Sequence, residues 1–233
     1  MVDGAVAQPL RPQSEAELVA RARALSGRRV GELASELGLP CPPDLRRAKG
    51  FVGGLVERAL GADAGPRALP DFSLLGVELK TLPVDARGRP VESTFVCTIP
   101  LTEVANLEWE ASPVWRKLRR VLWVVVEGQR SLPPAQRRIG EPLLWSPSPA
   151  QERALRFDWE ELAGLIGRGD VERITGHLGN CLQVRPKAAT SRSRRRGTDR
   201  DGAFFDAMPK GFYLRATFTA TLLAEHFVVS AAG

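Results

Sequence analysis

Apolar residues fall at helical spacing near the start of the chain. Leu18, Ala22 and Leu25 share one helical face after Ser14-Glu15-Ala16-Glu17, a capping-box start, and Ser26-Gly27 ends the helix. A second short helix is predicted from Val30 to Leu37, with Gly38 placed to cap it and Pro40 and Pro42-Pro43 preventing its extension. Gly50 to Leu60 puts Val52, Leu55, Val56, Ala59 and Leu60 on one face, with Glu57 near the C-terminal end and Gly61 as the stop. A polar, Gly- and Pro-containing loop is expected from Ala62 to Pro70.

The period then changes to two. Residues 75–82, LGVELKTL, read as a strand with Leu75, Val77, Leu79 and Thr81 on one face and Gly76, Glu78, Lys80 and Leu82 on the other. The turn DARGRP (85–90) leads to STFVCTI (93–99), read as the second arm of a hairpin. A short basic stretch from Trp115 to Arg120 feeds the strand VLWVVV (121–126), and a further strand is expected within Ile139–Trp145. Ser148-Pro149-Ala150-Gln151 is a second capping box with Pro at the first helical position, continued by Leu155, Trp159, Leu162 and Ile166. LQVR (182–185) reads as a short strand, and Phe218, Leu222, Leu223 and Phe227 as a final amphipathic helix. The sum is an α/β chain, strands flanked by helices.

Length and composition fit one globular domain, entire or in two lobes: 233 residues, 43% hydrophobic. The apolar run Val121–Val126 is far below the ~20 residues of a membrane span, and MVDGAVAQPLRPQ has no signal-peptide pattern. Cys41, Cys97 and Cys181 are far apart and odd in number, which favours a reducing cytoplasm over a disulfide framework. His177 and His226, without a Cys-x-x-Cys, are too few for structural zinc.

The net charge of +6 is concentrated. Residues 185–200, RPKAATSRSRRRGTDR, hold seven basic residues and one acid, which is the entire excess. Such a run suits a polyanion partner, and it equally suits a solvated loop. The chain has 28 Arg and only 5 Lys, so the lysines Lys49, Lys80, Lys117, Lys187 and Lys210 mark places where a compact amine could be required.

Asp71, Glu78 and Lys80 carry the sharpest chemistry. Period two places Glu78 and Lys80 on one strand face, and Asp71 reaches that face if the chain bends at Phe72–Leu74. Neighbouring carboxylates favour a hard cation, and Mg²⁺ takes few carboxylates while keeping waters and accepting phosphate oxygens. Such an ion would neutralise charge at a scissile phosphate and acidify a bound water, which Lys80 could orient or deprotonate. Glu57 could add a carboxylate to the same cluster. Alternatively, Glu78 and Lys80 simply line a solvated strand face.

Pro70-Asp71 followed by Glu78-Leu79-Lys80 resembles the core motif of restriction-endonuclease-like nucleases. KGFVGGLVE (49–57), DFSLLGVELKTLPVD (71–85), STFVC (93–97), KLRRVLWVVVEG (117–128), QRRIGEPLLWSP (136–147), DWEEL (158–162), VERITG (171–176), RPKAA (185–189) and GFYL (211–214) resemble, in order, the MutH family of strand-nicking endonucleases. The resemblance implies a restriction-endonuclease-like mixed sheet flanked by helices: a single domain over 1–233, in two lobes around a DNA cleft, with a basic loop at about 190–202. It implies a monomeric, Mg²⁺-dependent enzyme of methyl-directed mismatch repair. Such an enzyme nicks the unmethylated strand of hemimethylated GATC 5′ to the G, and is activated by MutL after MutS finds a mismatch.

By the same match, Glu57, Asp71, Glu78 and Lys80 are the catalytic residues, the three carboxylates holding one or two metal ions. Lys49 and Lys117 fall near the active centre and DNA backbone. Arg185 and Lys187 are placed to read base edges, although Arg185 could instead clamp a phosphate. Tyr213, the only tyrosine, and Phe95 correspond to residues beside the adenine whose methylation is sensed, unless Phe95 is a core residue. Glu92 is a candidate acceptor for a base edge. Two other readings stay open: a restriction-type endonuclease of the same fold acting on GATC, and a noncatalytic DNA-binding protein that uses the basic segment.

Overall fold

In the computed structural model, residues 9–65, 69–170, 174–187, 195–198 and 203–231 are described. The helices are α1 (Glu15–Arg23), α2 (Val30–Glu36), α3 (Phe51–Leu60), α4 (Pro113–Leu118), α5 (Pro149–Gly167) and α6 (Ala216–Ala231). The strands are β1 (Glu78–Val84), β2 (Thr94–Thr98), β3 (Val121–Glu127), β4 (Ile139–Trp145), β5 (Leu182–Pro186), β6 (Arg195–Thr198), β7 (Phe204–Ala207) and β8 (Lys210–Leu214). They fall into two compact units: Met1–Val91 with Arg120–Ser146, and Glu92–Arg119 with Pro147–Gly233.

Among the described residues, the first unit holds a three-stranded mixed sheet and three α-helices. β3 lies between β1, which it pairs in parallel from Glu78↔Val121 to Val84↔Glu127, and β4, which runs antiparallel to it. Leu122 and Val124 of β3 are fully buried, as a strand in the middle of a core should be. Leu18 and Ala22 of α1, Val30 and Leu33 of α2, and Leu55, Val56 and Leu60 of α3 pack into one core with Leu79, Leu122 and Val126. Ser14 caps α1 by accepting the Glu17 N–H at 3.2 Å. The return arm of the predicted box lands one residue early: Glu17 accepts the Gln13 N–H at 2.8 Å. At the end of α2, the Leu39 N–H closes on the Ala34 carbonyl at 2.8 Å, the hydrogen bond that a glycine at position 38 permits.

Two expectations for this unit are corrected. The strand begins at Glu78, because Phe72 to Val77 form a tight turn in which the Phe72 N–H meets the Val77 carbonyl at 2.9 Å. The 93–99 segment is not the second arm of a hairpin with β1. A turn does form, with the Asp85 carboxylate accepting the Arg87 and Arg89 N–H groups at 2.8 and 2.9 Å, but β2 pairs antiparallel with β8. β1 pairs instead with the continuously apolar β3, which covers it far better than the half-polar β2 could.

The second unit holds an antiparallel sheet of order β2-β8-β5 and a separate β6-β7 hairpin. Leu182, Val184, Phe212 and Leu214 point to the buried face of the sheet. α5 starts with both halves of a capping box at Ser148 and Gln151, and buries Leu155, Trp159, Leu162 and Ile166. Trp109 packs against Trp115 and Trp159 at centroid distances of 5.4 and 5.8 Å. The basic stretch expected as a loop is a strand at its end, since Arg195–Thr198 pairs with Phe204–Ala207. The rest of that loop, residues 190–194 and 199–202, lies outside the described residues, as do Val171, Glu172 and Arg173 of VERITG. No helix among the described residues is long and apolar enough to cross a membrane.

Candidate active site and nucleic-acid interface

β1 organises the first cluster. The Glu78 N–H donates to the Arg120 carbonyl at 3.0 Å, toward β3. The next N–H, that of Leu79, must face the opposite edge of the strand. There it is taken by Asp71 Oδ2 at 2.8 Å. The bend at Phe72–Leu75 therefore brings Asp71 to the edge of β1, beside the peptide that joins Glu78 to Leu79. Glu78 and Lys80 share a face as period two requires, with Lys80 Nζ 2.6 Å from Glu78 Oε1. Their side chains are only 3% and 13% exposed, which rules out a merely solvated strand face.

Glu57 lies on α3, near Thr81 of β1. A Cβ built on Gly53, one turn earlier, would lie 3.6 Å from Thr81 Oγ1 on β1 and 4.0 Å from Glu57 Oε1. The glycine thus leaves a space bordered by both oxygens. The turn that carries Asp71 has its own brace, which sequence reading missed. Asp63 accepts the Ser73 N–H and hydroxyl, each at 2.8 Å. The N–H groups of Asp63 and Ala64 donate to the Asp71 carbonyl at 3.0 and 3.2 Å. The Asp63 carboxyl is held below its usual range. Burial opposes this, but the Ser73 hydrogen bonds and the Arg11 charge outweigh it. No motif advertises such a brace in a sequence.

Among the described residues, no three His, Cys, Asp or Glu side chains are gathered into a ready-made metal site. The donor chemistry still suits a hard cation. Mg²⁺ binds through one or two carboxylates and completes its shell with waters and phosphate oxygens. Asp71 and Glu78, tied to one short stretch of β1, could supply such a pair.

The second cluster lies on the face of the β2-β8-β5 sheet opposite its core. Register aligns Phe95, Tyr213 and Gln183 in one row, and Thr98, Gly211 and Arg185 in the next. Phe95 and Tyr213 meet edge to face, 5.3 Å between centroids. Lys187 Nζ sits 3.4 Å from the Phe95 ring centroid and donates to Thr98 Oγ1 at 3.2 Å, while the Arg185 guanidinium lies 5.9 Å from the Tyr213 centroid. Phe95 is half-buried on this face, not part of the core. Burial pushes the Tyr213 phenol above its ordinary pKa, and the Arg185 charge partly opposes it.

Gly211 is the second residue that sequence reading missed. A Cβ there would meet Phe95 Cε2 at 2.9 Å, the Cys97 carbonyl at 3.1 Å and Tyr213 Cε2 at 3.2 Å. Only a glycine lets both rings lie over β8. The other predicted contacts are more scattered: Lys49 is exposed just before α3, Glu92 is exposed just before β2, and Lys117 is half-buried on α4. Glu57, Asp71, Glu78, Lys80 and Lys49 belong to the first unit, and Glu92, Phe95, Lys117, Arg185, Lys187 and Tyr213 to the second.

A mixed α/β chain with acidic residues and a lysine packed on one strand has the make-up of a restriction-endonuclease-like nuclease, an enzyme acting on phosphodiester bonds. Comparison with known proteins agrees. The family model "DNA mismatch repair enzyme MutH" matches residues 60–158. The chain is 54% identical over 218 residues to the DNA mismatch repair protein MutH of Klebsiella pneumoniae (strain 342), covering 94% of each chain. It is 55% identical over 218 residues to that of Salmonella paratyphi C (strain RKS4594), again covering 94% of each. The chain belongs to the MutH family of DNA mismatch repair endonucleases.

Proposed function

We propose that this endonuclease is Mg²⁺-dependent and nicks the unmethylated strand of hemimethylated GATC 5′ to the G. The observation that carries the catalytic part is the packing of Lys80 Nζ 2.6 Å from Glu78 Oε1, with Asp71 on the adjoining Leu79 N–H. Asp71, Glu78 and Glu57 are the residues that would hold the ion. When bound, the ion neutralises charge on the scissile phosphate and acidifies a water. Lys80 Nζ, held by Glu78, would orient an attacking water and offset the negative charge that develops on the phosphate. The buried Glu78 carboxylate needs such a partner, and it keeps the amine from turning to solvent.

Recognition falls to the second cluster. Arg185 and Lys187 present donors to base edges, where Arg to guanine is the commonest specific contact. Phe95 and Tyr213 form an apolar wall for the adenine edge, where an added methyl changes the fit. Lys49 and Lys117 take backbone phosphates, and Glu92 accepts from a base. We further propose that residues 1–233 work as one monomeric domain in the cytoplasm, activated by MutL downstream of MutS. The deciding experiment is nicking of unmethylated, hemimethylated and fully methylated GATC duplexes with Mg²⁺, with and without MutL. Nicks confined to unmethylated strands, faster with MutL, are expected. Equal cutting of methylated strands would overturn the recognition reading.

A further inference from the structure

We propose that Asp158 is a positioning residue for base recognition, setting the register of the strand that carries Arg185. The inference rests on the reading of Arg185 as a base reader. Among the described residues, β5 is an edge strand of its sheet, with β8 as its only strand neighbour. Register is weakly held at an edge, and a slip of one residue would turn Arg185 to the core and Val184 to the DNA-facing side. Something at the start of the strand must fix the phase.

Asp158 does so from α5. Its side chain is buried, at 1% exposure, among apolar neighbours on the inner face of that helix. One oxygen, Oδ2, accepts three successive backbone N–H groups: Asn180 at 2.9 Å, Cys181 at 2.5 Å and Leu182 at 2.8 Å. Leu182 is the first residue of β5, and Arg185 follows three positions later. A buried carboxylate is tolerable when charge-assisted hydrogen bonds of this kind satisfy it.

The carbonyls of the same turn are gripped by the opposite charge. Arg215, the residue after β8, donates Nε to the Gly179 carbonyl at 2.8 Å and Nη2 to those of Gly176 and Leu178 at 2.8 and 2.9 Å. Its backbone N–H closes on the Cys181 carbonyl at 2.8 Å. Gly179 is required between the two grips, because it adopts φ +79° and a Cβ there would collide with the Leu182 carbonyl. An anion thus takes the N–H groups and a cation the carbonyls, and the strand leaves the turn in one phase only. Neither Asp158 nor Arg215 lies on the row of DNA-facing side chains, so their effect on recognition passes through β5.

The test compares wild-type, Asp158→Asn, Arg215→Lys and Arg185→Ala proteins in nicking assays with Mg²⁺. Substrates are a hemimethylated GATC duplex and duplexes with one base pair of the site changed, and folded protein is matched by near-UV circular dichroism. For Asp158→Asn, discrimination between cognate and altered sites should fall about tenfold, the scale of one misplaced bidentate contact. Its kcat on saturating cognate DNA should change much less. Should Asp158→Asn fail to fold, Arg215→Lys loosens the same turn and carries the same expectation. A uniform loss on all sites, or intact discrimination in both variants while Arg185→Ala loses it, overturns the positioning role alone. Intact discrimination in Arg185→Ala overturns the base-reading assignment and the inference with it.

Discussion

Lys80 Nζ and Glu78 Oε1 lie 2.6 Å apart on one face of β1, and both side chains are nearly out of water. Removing Lys80 takes its charged partner from the buried Glu78 carboxylate. Lys80→Ala is therefore expected to abolish nicking and also to destabilise the protein by about 3 kcal/mol, the usual cost of breaking a buried ion pair from one side. The double variant Lys80→Met with Glu78→Leu should recover most of that stability and none of the activity. Urea denaturation alongside a plasmid-nicking assay separates the two effects. Stability that stays low in the double variant would show that the pair is not the source of the loss.

Asp71 accepts the Leu79 N–H at the strand edge and is also a proposed metal ligand. Asp71→Asn keeps an oxygen for the Leu79 N–H, so stability should fall by only about 1 kcal/mol. The lost charge should still cut Mg²⁺-supported nicking by at least about a hundredfold, while DNA binding persists. Chelating the metal from wild-type protein should have the same signature. A gel-shift titration and a Mg²⁺ titration of nicking on one preparation check this. Retained nicking at wild-type Mg²⁺ concentrations would remove Asp71 from the ligand set.

Much of this site is legible in the sequence because its parts are local. Glu78 and Lys80 are two residues apart, and any strand puts them together. Ser148-Pro149-Ala150-Gln151 specifies its own cap. What fails is non-local. DARGRP signals a turn, and nothing within it says that β1 pairs with β3, some forty residues on, rather than with β2. The same holds for the β6-β7 hairpin, whose register of Arg195 with Ala207 and Arg196 with Asp206 no local pattern announces. Asp63, Gly211 and Asp158 stayed hidden for a related reason: each acts on backbone far away in sequence or by leaving space, and neither leaves a motif.

Tyr213 offers a probe of the proposed recognition face, as the only phenol in the chain. Burial raises its pKa above the ordinary value of 10, and the Arg185 charge pulls the other way. A group whose pKa is raised on folding stabilises the protein fully below its unfolded pKa. That contribution is lost as pH rises through the folded pKa, so the loss falls above pH 10. An absorbance titration at the tyrosinate band should give a midpoint above that of the urea-unfolded chain. Arg185→Ala should move it further up. A midpoint that falls in the variant would mean Arg185 does not face the ring.

Gly211→Ala isolates the role of space on the same face. The added methyl would lie within 3.2 Å of both Phe95 Cε2 and Tyr213 Cε2, and 3.1 Å from the Cys97 carbonyl. The carbonyl belongs to a sheet strand and cannot give much, so the rings must move. Overpacking of this kind costs about 1–3 kcal/mol. The larger effect should be on recognition, because the substitution displaces the rings proposed to face the adenine, whereas Asp71, Glu78 and Lys80 belong to the other unit. The variant should therefore need more DNA for half-maximal nicking and discriminate less between hemimethylated and fully methylated GATC, at a kcat close to wild type. Kinetics on the two duplexes, with thermal unfolding as the control for folding, measure both. If kcat falls and methyl discrimination stays intact, the rings are not the methyl sensor and Gly211 serves folding alone.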